Sequence, residues 1–278
     1  MKVAIIGGAG KMGKWFCNFF LNEGYEVIVS GRKETKLNKL VKQFNVKSAK
    51  NNIEAIKNAD LIMIAVLFQD FESVVKEIAP AINNTQKVVD ITSIKDQPVK
   101  IMHKYIKRGI TLGAHPMFGP NVKDNNHNFV LTPVTKKERA YAQEFSNWLT
   151  KKGFNVSIMP PRRHDELMST ILGLPHFIGL VTADTLTNLN LKELKKVCGT
   201  SFNMLLELTT NVISNDPEFY SHLQMILPKI NKVESLFSDK TKKWLTIVNK
   251  EDKSQFKREM IKIAQKSKYL LVSKDENI

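Results

Sequence analysis

Residues 2–13 read KVAIIGGAGKMG, and the chain continues as KWFCNFFLN. A short apolar run that stops at glycine is a buried strand, and the segment after it carries apolar residues at helical spacing. Gly8, Gly10 and Gly13 match G-x-G-x-x-G in the context that gives the pattern meaning, after a strand and opening a helix. In this geometry Gly8 permits the tight turn, Gly10 admits a pyrophosphate to the backbone, and Gly13 lets helix and strand pack closely. The helix start, with Lys11 and Met12, then turns N–H groups and the positive dipole end toward the phosphates. A signal peptide is not expected, because glycines interrupt the apolar run and no cleavage pattern follows.

The alternation continues outward. Strands are expected at 2–6, 26–30, 61–66, 87–91, 110–114, 128–132 and 154–159, and helices at 11–23, 33–44, 52–58, 70–80 and 96–107. Near-continuous apolar strands between amphipathic helices imply an α/β fold with a parallel sheet covered on both faces. Right-handed crossovers make it a doubly wound, Rossmann-type domain. At Pro160-Pro161 the texture changes, and helices are expected over 165–188, 191–214, 217–248 and 252–272, bent or broken at Pro175, Pro217 and Pro228. The expected organisation is a dinucleotide-binding domain over 1–161 and an all-α domain over 162–278 whose apolar stripes form core or a dimer interface.

The 278 residues are 42% hydrophobic, enough for two modest cores. No unbroken run of about 18 apolar residues occurs, so no membrane span is expected. Cys17 and Cys198 are the two cysteines, too few and too far apart for a disulfide framework or a zinc site, which points to a reducing, cytoplasmic setting. No metal is expected. The net charge is +15, but the lysines are spread through amphipathic segments such as KETKLNKLVKQF. That distribution is a solvated basic surface with a general attraction for anionic ligands, not a nucleic-acid face.

The end of the second strand selects the dinucleotide. NAD binders carry an acid there for the ribose 2′-hydroxyl. This chain has Ser30-Gly31-Arg32-Lys33, a hydroxyl and two cations, which suits a 2′-phosphate, with the planar fork of Arg32 as its main ligand. NADP is therefore expected over NAD, with NAD still possible. Ala65 and Val66, at the end of the strand 61–66, are further candidates to line the cofactor cleft.

The chemistry of an open α/β sheet sits at the carboxyl ends of its strands. Ser93 follows one strand in DITSIK, and His115 follows the next in GAHPMFGP, a turn stiffened by Pro116 and Pro120. A histidine there is suited to accept a proton from a substrate hydroxyl while hydride leaves the same carbon, titrating near the ordinary value of about 6.5.

DITSIK, GAHPMFGP and RHDELMSTILGLPHF together resemble the prephenate/arogenate dehydrogenases of tyrosine biosynthesis, from MKVAIIGG to at least DPEFY at 216–220. The likeness is to short archaeal-type members, and no fused mutase or regulatory domain is expected. The resemblance implies NADP-dependent oxidative decarboxylation of prephenate to 4-hydroxyphenylpyruvate. Arogenate, another substrate of the same type, or a non-catalytic NADP-binding role are the alternatives. It also implies that His115 is the base, that Ser93 assists and orients it, that His176 lies in the substrate pocket, and that the helical part dimerises. His164 is either a structural residue at a helix start or a pocket residue. One departure stands out. The family's arginine before D-P-x-x-Y, which binds a substrate carboxylate, aligns with Asn211, and a further arginine aligns with Asn203. Beyond Arg163 this chain has only Arg258. The candidate replacement anchors are His176, Arg162, Arg163 and Lys95.

Overall fold

The computed structural model describes residues 1–122, 126–214 and 216–267, so the expected end of the last helix at 268–272 lies outside the described residues. The chain forms two compact units, Met1–Pro228 and Lys229–Ile278.

The first unit begins with β1 (Lys2–Ile6), α1 (Lys11–Asn22), β2 (Glu26–Ser30), α2 (Glu34–Phe44), β3 (Lys47–Ser48), α3 (Asn52–Ile56), β4 (Leu61–Ile64), α4 (Phe68–Ile78), β5 (Lys87–Asp90), α5 (Asp96–Tyr105) and β6 (Ile110–Pro116). β7 (Asn128–Thr132), α6 (Lys136–Lys151) and β8 (Asn155–Ile158) complete the sheet, whose order is β3-β2-β1-β4-β5-β6-β7-β8. All neighbours are parallel except β6 and β7. The doubly wound expectation holds.

The period-two rule explains the core. Val3 and Ile5 pack on one face with Phe16, Phe20 and Phe129, while Ala4 and Ile6 pack on the other with Phe71, Val75 and Met102. Each buried side chain of this size contributes roughly 1.5–3 kcal/mol. Helix α6 was not anticipated from its apolar pattern. Its start has a local signal, however, since Thr135 accepts from the Glu138 N–H while Glu138 accepts from Thr135 N, a reciprocal cap.

After β8 the unit is helical: α7 (Pro161–Met168), a π turn (Ser169–Gly173), α8 (Leu174–Thr187), α9 (Leu191–Val197), α10 (Thr200–Ile213) and α11 (Pro217–Ile226). Pro175 has no N–H to offer the preceding turn, and the helix widens immediately before it. Val212 packs so closely on Gly179 that a Cβ there would lie 2.6 Å from Val212 Cγ2. By length and composition, the helical run Pro161–Thr187 is apolar enough to cross a membrane, with 22% of its most apolar window buried within this chain. The core helix of a folded domain passes the same test.

The second unit holds α12 (Ile230–Asn249) and α13 (Lys253–Lys266). Trp244 meets Phe256 edge to face at 5.1 Å, and Lys243 pairs with Glu259.

Candidate active site

At the end of β1 the chain turns through Gly7, whose φ of +81° belongs to the left-handed region. A Cβ at Gly7 would lie 2.5 Å from the Ala65 carbonyl oxygen. The demand for a tight turn therefore falls on Gly7, not on Gly8 as the motif suggests. Gly8 is required for another reason, since its Cβ would lie 2.8 Å from Val29 Cβ. At Gly13 a Cβ would come within 2.4 Å of Gly7 O, so close packing of helix on turn is confirmed there. Gly10 differs, because a Cβ there would meet Gly7 O at 3.2 Å and Ala65 O at 3.8 Å, with nothing nearer. No side chain caps α1. An open floor beside an uncapped helix start fits the pyrophosphate of a dinucleotide. Lys11 is exposed at this start, Met12 packs inward, and Val66 stands beside Gly7.

The strand-end residues divide. Ser30 is buried, and its hydroxyl donates to Asn52 Oδ1 at 2.8 Å. Its carbonyl accepts the N–H groups of Gly7 and Gly8 at 2.9 and 3.1 Å. Ser30 therefore holds the glycine turn, and the expectation that its hydroxyl meets a 2′-phosphate is corrected. Lys33 is exposed, and Arg32 is exposed with its guanidinium on Asp70.

His115 ends β6 at the same sheet edge, opposite Val130. The turn after it is anchored by Phe118, whose ring lies 4.8 Å from Trp15 and stacks on Phe154 at 5.7 Å. That is the use of the aromatic residue in HPMFGP. Ser93 is half-buried in the loop after β5, but no hydrogen bond joins it to His115 among the described residues. His115 Nδ1 instead meets His164 Nε2 at 2.9 Å, and His164 Nδ1 meets Asp165 Oδ1 at 2.7 Å. Asp165 also accepts from the N–H groups of Lys95 and Asp96, at 2.7 and 2.9 Å, which bolts α7 to the start of α5. His164 is wholly buried and His115 is 5% exposed.

The tautomers follow from these partners. An ionised Asp165 accepts from His164 Nδ1–H, leaving His164 Nε2 to accept from His115 Nδ1–H. His115 Nε2 then carries the lone pair of a base. Burial, the neighbouring His164 and the Lys95 charge hold His115 well below the usual histidine range, and burial also pushes His164 down. The expectation of ordinary titration near 6.5 is thereby corrected. His164, left undecided by the sequence, stands against His115, and Asp165 was missed because its neighbours come from a loop 70 residues away.

A cleft of about 1150 Å³ opens beside this edge, lined by Lys11, Lys14 and Trp15 of α1, by Gly119 and Pro120 of the turn, and by His176, Asn211 and Tyr220. His176 meets the Tyr220 ring edge-on at 4.3 Å, and its buried Nδ1 has no hydrogen-bond partner among the described residues. Burial pushes its pKa down to about 4, so at neutral pH it offers a hydrogen bond and not the positive charge expected of a replacement for arginine. Lys95 is corrected outright. It is fully buried, with its ammonium on Asp90 and on the Ala114 carbonyl. Arg162 and Arg163 are exposed beside Glu166 on the first turns of α7. Asn203 is exposed near Cys198, whereas Asn211 lines the cleft. The cations that do line it are Lys11 and Lys14, and Lys14 had no motif to announce it.

With this geometry established, comparison with known proteins is informative. Residues 16–158 match the nucleotide-binding domain profile of prephenate dehydrogenase, and residues 160–262 its dimerization domain profile. A probable arogenate/prephenate dehydrogenase of Methanocaldococcus jannaschii is 34% identical over 270 residues, covering 95% of this chain and 60% of that protein. The chain thus spans about 60% of the length of that curated relative. Prephenate dehydrogenase of A. aeolicus, crystallised with hydroxyphenyl propionate and NAD+, superimposes with a TM-score of 0.80 at 18% identity, covering 97% of this chain and 98% of that one. Synechocystis arogenate dehydrogenase gives 0.73 at 17% identity, covering 97% and 100%.

Proposed function

The chain belongs to the prephenate dehydrogenase family, and from that premise we propose that it is an NADP-preferring dehydrogenase that converts prephenate to 4-hydroxyphenylpyruvate and carbon dioxide. The observation that carries the reading is the Asp165–His164–His115 relay, which ends in an Nε2 with no hydrogen-bond partner among the described residues, on the same carboxyl edge of the sheet as the glycine turn. The turn around Gly7, Gly8, Gly10 and Gly13 would hold the pyrophosphate, with Arg32 and Lys33 at the 2′-phosphate. The nicotinamide, when bound, supplies the hydride acceptor. His115 Nε2 takes the proton of the ring hydroxyl as the C–H bond at that carbon gives up its electron pair. The ring carboxylate then leaves as carbon dioxide, its bonding electrons complete the aromatic ring, and the step is effectively irreversible. Ser93 assists at the same hydroxyl. Base catalysis of this kind is worth about 10²–10⁴ in rate.

Asn211 in place of an arginine leaves the substrate carboxylates to Lys14, Lys11 and the neutral His176. A lower demand for positive charge also suits arogenate, whose side chain carries its own ammonium, and this is the second reading. Exposed apolar side chains on α8, such as Leu180 and Val181, suit coverage by a second copy of the chain, in keeping with the dimerization-domain match. Initial rates of NADPH or NADH formation at 340 nm, with prephenate and arogenate, test the proposal. Turnover of neither substrate refutes it, and equal or better efficiency with NAD+ refutes the cofactor preference.

A further inference from the structure

The Arg32 guanidinium forms a two-pronged ion pair with Asp70, Nη1 to Oδ1 at 2.9 Å and Nη2 to Oδ2 at 2.7 Å. The two residues come from opposite sides of β1. Arg32 follows β2, and Asp70 stands in the first turn of α4, the helix after β4. β2 and β4 flank β1 in the sheet. The pair therefore joins the two sides of the strand whose end carries the glycine turn.

A guanidinium fork fits a carboxylate in the same way as it fits a phosphate. Asp70 thus occupies two donors that a ribose 2′-phosphate would use. Its place is fixed by the helix start, where its N–H donates to Leu67 O at 3.1 Å and its carbonyl accepts from Ser73 Oγ at 2.8 Å. Arg32 is the freer partner, with 79% of its side chain exposed against 24% for Asp70. An ion pair this exposed is weak, so a doubly charged phosphate displaces the carboxylate at a modest cost.

We propose that Asp70 is a specificity-determining residue for the cofactor: it competes with the 2′-phosphate for Arg32 and so narrows the preference for NADP, keeping NAD usable. This rests on the reading of Arg32 as the 2′-phosphate ligand. NAD has no phosphate at that position, so Arg32 stays on Asp70 when NAD binds.

The test is titration of tryptophan fluorescence in the full chain with NADP+ and NAD+, for wild type, Asp70→Asn, Arg32→Ala and the double variant. Asp70→Asn should bind NADP+ about three- to fivefold more tightly, the range expected from releasing an exposed pair. NAD+ affinity should stay within about twofold, and the gain should vanish in the Arg32→Ala background. Weaker NADP+ binding by Asp70→Asn overturns the proposal, because Asp70 would then be positioning Arg32. An equal gain in the Arg32→Ala background also overturns it, because the effect would be one of general charge. If Arg32→Ala alone leaves NADP+ affinity intact, the phosphate-site reading fails and the proposal falls with it. If Arg32→Ala weakens NADP+ binding while Asp70→Asn changes nothing, the proposal alone fails.

Discussion

Replacing His164 by leucine removes the acceptor that holds the Nδ1 proton of His115. On the proposed mechanism His115 becomes an imidazolium as it takes the substrate proton, so the bond at 2.9 Å strengthens along the reaction. Hydrogen bonds to charged groups contribute about 1.5–3 kcal/mol. His164 is fully buried, and solvent cannot readily take its place. The expected loss is therefore roughly 10- to 150-fold in kcat. His164→Gln should recover part of it, since an amide oxygen reaches near the position of Nε2. Asp165→Asn should lose at least as much as His164→Leu, because Asp165 accepts at both oxygens and an amide accepts at only one. The assay is kcat at saturating prephenate and NADP+, with a pre-steady-state trace to establish that chemistry limits turnover and a thermal melt to establish folding. A folded His164→Leu protein with kcat within about threefold of wild type would show that the relay does not act on the base.

Five further outcomes are expected. His115→Asn should keep cofactor binding and lose about 10²–10⁴ in kcat. In wild type, activity should fall only as pH drops through a value below about 6.5, since burial lowers His115 and the proposed mechanism uses its neutral form as the base; an acid limb at or above 6.5 contradicts this. Gly13→Ala places a Cβ 2.4 Å from Gly7 O, so its melting temperature and dinucleotide affinity should both drop; unchanged values would mean that the turn gives way freely. Lys14→Met should raise the KM for prephenate several-fold without changing that for NADP+, and Asn211→Arg should lower it; the reverse pattern moves the carboxylate anchor elsewhere. Finally, the unfolded chain binds a proton at His176 near 6.5 that the folded chain refuses until about 4, so stability should decline as pH falls through that window, and His176→Phe should flatten the decline in a denaturant series.

The sheet was legible because its signals are local. Val3 to Ile6 alternate between two cores, and glycines follow at a spacing that only a strand–turn–helix satisfies. His115 and Ser93 were placed at the right edge because a parallel sheet sends the carboxyl ends of its strands to one side, whatever their distance along the chain. Even the overlooked helix α6 left its reciprocal cap in the sequence.

What the sequence withheld were partnerships. Gly7, not Gly8, takes the left-handed conformation, and the Ala65 carbonyl just after β4 leaves no room there for a Cβ. Ser30 turns inward to Asn52, and Lys95 to Asp90, although one ends and the other follows a strand at the carboxyl edge of the sheet. Arg32 finds Asp70 across β1, and His115 finds His164 and Asp165 from α7. A residue's type and its place on an element follow from periodicity and turn chemistry over a few neighbours. The direction of its polar atoms follows from which unpaired group the folded chain brings within about 3 Å, and only tertiary packing decides that.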